Sequence, residues 1–498
     1  MDLAQLIEAG RAPAAEFIAR SHRMLIDGLW VEAASGETIE VRDPATGEII
    51  AHVPAGGEAD IDRAVAAARR AFEEGPWPAL KGPERAKLIW KLADLIEREA
   101  NALSVIETTD MGVTFRAARL GAIGTSPDVA RYLSGWAGRL YGDTIPATAG
   151  EWHVYTLREP CGVVGQIIPW NVPFGMAVQK VCAALAAGCT VVMKPAEQTP
   201  LSTLRLGELI EEAGFPKGVV NIVTGYGKAA GAALAAHPDV DKVTFTGSTA
   251  TGKSILAASV GSLKRVTLEL GGKSPVIILD DADLDAAIPG AAMSVFSNSG
   301  QVCVAGSRLF VHPKVLDKVV AGIADVAAKL KLGSGLDPAN DLGPVVSDVQ
   351  LNRVLGYIEA GRRDGAEVVQ GGGRIGSQGY FVAPTLFVNT DREMSIAREE
   401  IFGPVISVLP MGDDSLENLA RQANDTEYGL AATIWTRDVK VAHKLAGKIK
   451  AGSIRINSGG NVDPAVPFGG YKQSGIGRER GKEGVEIYTE LKTVVVQL

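Results

Sequence analysis

The feature that most constrains this chain is a change of hydrophobic period, repeated many times from residue 158 onward. Short apolar runs (GVVGQIIP, CTVVMKP, GVVNIVTG and KVTFTG) have the length of buried strands. Between them lie longer stretches, 173–187 and 201–214, with the apolar spacing of helices. Strands that return through helices pair in parallel, so the pattern predicts an α/β fold built on a parallel sheet. A second series starts near Lys273 and includes SPVIILDD, SRLFVHP, EVVQGG, ISVLPM and ATIWTRD. At 498 residues the chain is too long for one core, and this second series predicts a second α/β domain. Upstream, 60–74 and 83–101 read as amphipathic helices, the first opened by Asp60 and the second by Pro83 and Glu84. The glycine-rich 371–381 reads as a loop. The terminal TVVVQL is an apolar strand with no neighbour nearby in sequence, so it must pair with a distant segment or with another subunit.

Composition removes several function classes. With 46% hydrophobic and 22% charged residues the chain suits a globular enzyme. Its net charge of -8, without a Lys/Arg block, argues against a nucleic-acid partner. No apolar run is long enough to span a bilayer, and Asp2 and Glu8 interrupt any signal-peptide core, so a cytoplasmic location is expected. Four cysteines without a C-x-x-C pair, and six histidines without H-E-x-x-H spacing, predict free thiols and no metal site.

Five short segments carry groups able to do chemistry. Cys303 lies in SNSGQVCVAGSR, after a polar turn that contains Gly300. A lone cysteine fits a small core residue, but a thiol on such a turn also fits a nucleophile facing a cleft. Glu269, in VTLELGGKSP, ends an apolar strand; it fits either a solvent-facing strand end or a general base whose pKa burial raises. Asn171, in IIPWNVPF, fits a helix cap or an amide donor to an oxyanion. Lys194 and Glu197 follow a strand and fit a surface loop or a pair of contacts to ribose hydroxyls. In VTFTGSTATGKS a strand runs into Gly247 and a helix follows, a place to receive a pyrophosphate. Read literally, Gly247 to Ser254 is also G-x-x-x-x-G-K-S, and VIILDD suits the second motif of a P-loop nucleoside triphosphatase, a rival of a different class.

Taken together, PWN, KPAEQTP, FTGST, LELGGKSP, GQVCVAGSR, EEIFGPV, NDTEYGLAA and PFGGYKQSG resemble the aldehyde dehydrogenase superfamily, in its order and over essentially the whole chain. The resemblance implies an NAD-dependent enzyme, with NADP less favoured, that oxidises an aldehyde to the acid through a thiohemiacetal and a thioester on Cys303. It implies an oxyanion hole from Asn171 and the Cys303 N–H, and a water-activating base in Glu269. Lys194, Glu197, Gly247, Ser248, Trp170, Glu400 and Phe402 fall on cofactor contacts. The implied plan is a Rossmann-like cofactor domain (1–141 and 162–271), a catalytic domain (272–473) and a small β oligomerisation element (142–161 and 474–498), assembled as a homodimer or homotetramer. Val172, Gln179 and Ser297 stand where the family commonly carries bulkier or aromatic residues, which implies a wide tunnel for a bulky apolar or aromatic aldehyde, with Gln179 as a polar handle. The loop 458–466 is the segment most able to refill that space. Arg455, in GSIRIN, is unusual for the family.

Overall fold

The computed structural model describes residues 2–412, 415–459 and 463–498. Two large sheets organise it. In the first, the strand order is Gly475–Ile476, Arg265–Glu269, Lys242–Thr246, Val163–Ile167, Thr190–Lys194, Val220–Ile222, Met24–Ile26 and Leu29–Val31. Its five central strands run parallel. Numbered along the chain from Val163, they lie in the spatial order 3-2-1-4-5, so the winding reverses between Val163–Ile167 and Lys242–Thr246. A crevice outside the carboxyl ends of the strands at such a reversal is where open α/β sheets bind ligands.

The second sheet runs Glu367–Gln370, Thr385–Val388, Val405–Pro410, Arg308–Val311, Pro275–Ile278, Ala431–Trp435 and Ser453–Ile456. It is parallel except at its first strand. Every apolar run expected to be a strand is one. The reason is visible in the burial: Val163–Ile167, Thr190–Lys194 and Pro275–Ile278 are buried at every position, which suits continuous rather than alternating hydrophobicity.

Helix Pro173–Ala187 begins with proline at its first turn and ends at Gly188 in the left-handed region (φ 100°), as its sequence predicts. Two other helices differ from expectation. The first starts at Glu58, with Gly57 as its cap, because the Asp60 carboxylate accepts from the Gly57 and Ala34 N–H groups and is buried doing so. The second continues from Gly82 to Met111, since its last two turns are buried and carry polar groups inward. There Glu107 accepts from Phe174 N (3.1 Å) and Asp110 from Leu201 N (3.0 Å), capping the amino ends of two neighbouring helices.

A three-stranded sheet joins Thr489–Gln497, Trp152–Pro160 and Thr144–Ile145. The terminal strand therefore pairs along its full length with a distant segment of its own chain, and its other edge has no partner strand among the described residues. Among the described residues no helix is long and apolar enough to cross a membrane.

Candidate active site

The site lies where the carboxyl ends of the first sheet meet the amino ends of the second. Trp170 and Asn171 follow Val163–Ile167, Gly247 and Ser248 follow Lys242–Thr246, and Glu269 closes Arg265–Glu269. Cys303 precedes Arg308–Val311, and Glu400 and Phe402 precede Val405–Pro410. All eight of these residues line one cavity of about 940 Å³. Lys194 and Glu197 do not line it. They sit at the end of the adjacent strand Thr190–Lys194, with their side chains 3.2 Å apart.

The turn that presents Cys303 is strained. Asn298 (φ 51°), Ser299 (φ 53°) and Gly300 (φ 77°) are consecutive left-handed residues. For the two non-glycine residues such a conformation costs on the order of 1–3 kcal/mol each, so surrounding bonds must hold it. They do: Ser299 Oγ donates to Gly343 O (2.6 Å), Gln301 Nε2 to Asn298 O (3.1 Å), and Val346 N to Gln301 Oε1 (2.8 Å). At Gly300 a Cβ would lie 2.0 Å from the backbone of Gly403, so no other residue fits. Cys303 is partly exposed to the cavity and unbridged. Burial, followed by the Glu400 and Glu269 carboxyls, pushes its thiol up to about 12.

Asn171 does not cap the helix beside it; Val172 occupies the cap position. The Asn171 side chain turns to the Cys303 turn and donates from Nδ2 to Gln301 O (2.8 Å), while Asn298 Nδ2 donates to Asn171 O (3.1 Å). One of its two amide N–H groups is left over. Glu269 is 2% exposed, and neither carboxylate oxygen has a partner among the described residues. Burial, reinforced by Glu479, holds this carboxyl well above the usual range. An unpaired buried carboxyl whose pKa is raised is the kind of group a general base needs.

On the opposite side, Glu400 accepts from Gly272 N (3.0 Å), and burial raises its carboxyl to about 7. Its other oxygen fills the space a Cβ on Gly271 would need, 2.4 Å away. Phe402 is itself left-handed (φ 59°), and its ring meets Trp170 edge-on at 5.2 Å.

The aldehyde dehydrogenase family model matches residues 30–494. The chain belongs to this family. Its relatives include aldehyde dehydrogenase 1A1 of Mesocricetus auratus, 47% identical over 489 residues (98% of this chain, 97% of that one). The mitochondrial benzaldehyde dehydrogenase of Antirrhinum majus is 47% identical over 477 residues (96% and 89%). The NAD+ complex of the Bacillus cereus aldehyde dehydrogenase superposes with a TM-score of 0.96 at 50% identity, covering 98% of this chain and 99% of that one. This aldehyde dehydrogenase is NAD-dependent and converts an aldehyde to its acid. The P-loop reading falls on geometry as well. Helix Thr249–Ala258 begins two residues after Gly247, so Gly252, Lys253 and Ser254 are helical and leave no loop to wrap a triphosphate.

The residues fit NAD. Lys194 Nζ is buried and, among the described residues, donates to Pro195 O and Glu197, which leaves one of its three protons for a ligand. Ser248 caps the ten-residue helix Thr249–Ala258, whose amino end faces the point where the sheet winding reverses.

The three positions on which a wide tunnel is expected share one cavity. Val172, Ser297 and Gln179 all line the cavity of this aldehyde dehydrogenase, with Trp170 and Phe468 as apolar walls. Gln179 is not a free handle, however: Nε2 donates to Glu479 (2.6 Å) and Oε1 accepts from Arg480 (2.8 Å). In the loop 458–466, Gly460, Asn461 and Val462 lie outside the described residues. Cys161 is partly exposed just after Trp152–Pro160, with its sulfur 3.6 Å from that of Cys189. Several site residues carry no local signal in the sequence. Lys180 pairs with Glu479 299 residues away, both buried beneath Glu269. Arg455, marked in the sequence only as unusual, lines the cavity, and Lys273 is buried with no hydrogen-bond partner for Nζ among the described residues, where burial lowers its pKa to about 7.

Proposed function

We propose that the aldehyde is oxidised as a thioester on Cys303 and released by water that Glu269 activates. The observation that carries this reading is the shared cavity: an accessible thiol, a half-used amide and a buried unpaired carboxyl line it together. The thiol adds to the carbonyl carbon, and its proton passes to a base. The resulting alkoxide is stabilised by the free amide N–H of Asn171 and the N–H of Cys303. NAD, when bound, supplies the hydride acceptor. Glu269 then takes a proton from water as it attacks the thioester, which frees Cys303 and the acid. Lys194, Glu197, Gly247, Ser248, Trp170, Glu400 and Phe402 hold the cofactor in this scheme. The product tests it: with coenzyme A present, the free acid should still exceed acyl-CoA by more than about tenfold, and dominant acyl-CoA would overturn the role of Glu269.

The same reading assigns 1–141 and 162–271 to the cofactor domain, 272–473 to the catalytic domain, and 142–161 with 474–498 to oligomerisation. The open edge of Thr489–Gln497, with Leu491, Val495 and Val496 exposed, supports a homodimer or homotetramer.

Cofactor choice follows from Glu197. A 2′-phosphate beside its carboxylate meets a like charge, which costs several kcal/mol at close range, while Lys194 offsets part of that. NAD should be preferred, with kcat/KM at least about tenfold above that for NADP; equal values would refute the assignment of Glu197.

Substrate size follows from the tunnel. With Val172 and Ser297 in place of rings, a small aldehyde leaves the walls without contacts, whereas an aryl aldehyde fills them. The Antirrhinum relative named for benzaldehyde supports this reading. Benzaldehyde should have the higher kcat/KM, and Val172→Phe should shift preference toward acetaldehyde. A native enzyme that favours acetaldehyde rejects the wide tunnel.

A further inference from the structure

Two arginines enter the cavity that holds Cys303. Arg455 lies on the strand Ser453–Ile456, and Arg480 follows Glu479. Both are partly buried, and each lacks an anionic partner among the described residues. Arg480 spends only Nε, on Gln179 (2.8 Å), and its guanidinium lies 5.6 Å from the Phe468 ring. The carboxylate next to it in sequence, Glu479, is taken by Lys180 and Gln179. The Nε of Arg455 is buried with no hydrogen-bond partner among the described residues. Glu269 hydrogen-bonds to neither, since both of its oxygens are unpartnered among the described residues.

Buried charge without a counter-charge is unfavourable and is kept only where something compensates it. Here Glu479 and Glu269 favour the charged form of Arg480 electrostatically, but neither arginine closes an ion pair with a carboxylate among the described residues. The two guanidiniums also disfavour each other: burial lowers the pKa of Arg455, Cys303 opposes that, and Arg480 adds to the lowering. A ligand carboxylate relieves both penalties, and a planar guanidinium matches it with paired N–H donors.

We propose that Arg455 and Arg480 form an anion subsite, and that the aldehyde this enzyme oxidises best carries a carboxylate at the end remote from its carbonyl. The proposal rests on the reading that the aldehyde reacts at Cys303 in this cavity. It deepens the size argument, because the body of the substrate lies against Val172, Trp170 and Phe468 while its charged end reaches the arginines. Gln179 becomes a positioning residue that orients Arg480.

The test uses the full-length enzyme at saturating NAD and two pairs of near-isosteric aldehydes. These are 4-carboxybenzaldehyde against 4-isopropylbenzaldehyde, and succinate semialdehyde against 4-methylpentanal. In at least one pair the carboxylated member should have a kcat/KM about 10- to 100-fold higher, the range that charge-assisted hydrogen bonds give. Arg455→Met and Arg480→Met should each lower that ratio at least about tenfold, mainly through KM of the charged aldehyde, and Arg455→Lys should recover part of it. A ratio near one in both pairs overturns the subsite, whether or not the variants fold. A ratio that survives both substitutions also overturns it, because cations that only support the fold or the Cys303 thiolate act on both members alike. If none of the four aldehydes yields NADH, the reading of the Cys303 cavity fails along with the subsite.

Discussion

Replacing Cys303 by alanine should lower NADH production by on the order of 10⁴-fold or more with every aldehyde, the scale seen when a covalent nucleophile is removed. Affinity for NAD should change little, because the residues proposed to hold the cofactor come from the first sheet and from the strand-end loop around Glu400, not from the thiol. The remaining cysteines are the controls. Cys182 and Cys189 are buried and Cys161 is partly so, and alanine at each should cost about 1 kcal/mol of stability without removing turnover. Steady-state rates, NAD titration and thermal melting read the three effects separately. Retained turnover in the Cys303 variant would exclude it as the nucleophile.

Glu269→Gln should leave one round of NADH formation and slow the next by about 10²- to 10⁴-fold, the usual worth of a general base. Pre-steady-state absorbance should show a burst of one NADH per active site and then a slow phase. The pH dependence has a definite sign. Burial keeps the Glu269 carboxyl protonated above the ordinary carboxylate range, so its basic form is gained as pH rises. Turnover of the native enzyme should therefore climb from mildly acidic toward alkaline pH, and this limb should be missing in the variant. An identical pH profile in the two proteins would assign the base elsewhere.

What could be read from the sequence follows from which forces are local. Buried parallel strands announce themselves because both faces are apolar, and helix Pro173–Ala187 carries its own start and stop. The reach of the Gly82–Met111 helix was hidden because Glu107 and Asp110 look like surface residues until the helices they cap are known. The same holds in the site. Cys303, Glu269 and Asn171 stand beside glycines or prolines that mark turns, so each could be suspected from its neighbours. Lys180 and Glu479 could not, since their pairing spans 299 residues. Gln179 could be placed on the cavity wall, but its two bonds to Glu479 and Arg480 depend on a segment from the far end of the chain. Arg455 drew notice only as an oddity; its unpartnered Nε gives it meaning, and that is a property of the packed structure.

The central claim is that the acyl group rests on Cys303 until Glu269 delivers water. Intact-mass analysis of Glu269→Gln, quenched after one turnover with benzaldehyde and NAD, tests it most directly. The account predicts a stoichiometric benzoyl adduct, with peptide mapping placing it on the segment that contains Cys303. NADH formed in that single turnover without any adduct, or an adduct on Cys161, Cys182 or Cys189 instead, would contradict it.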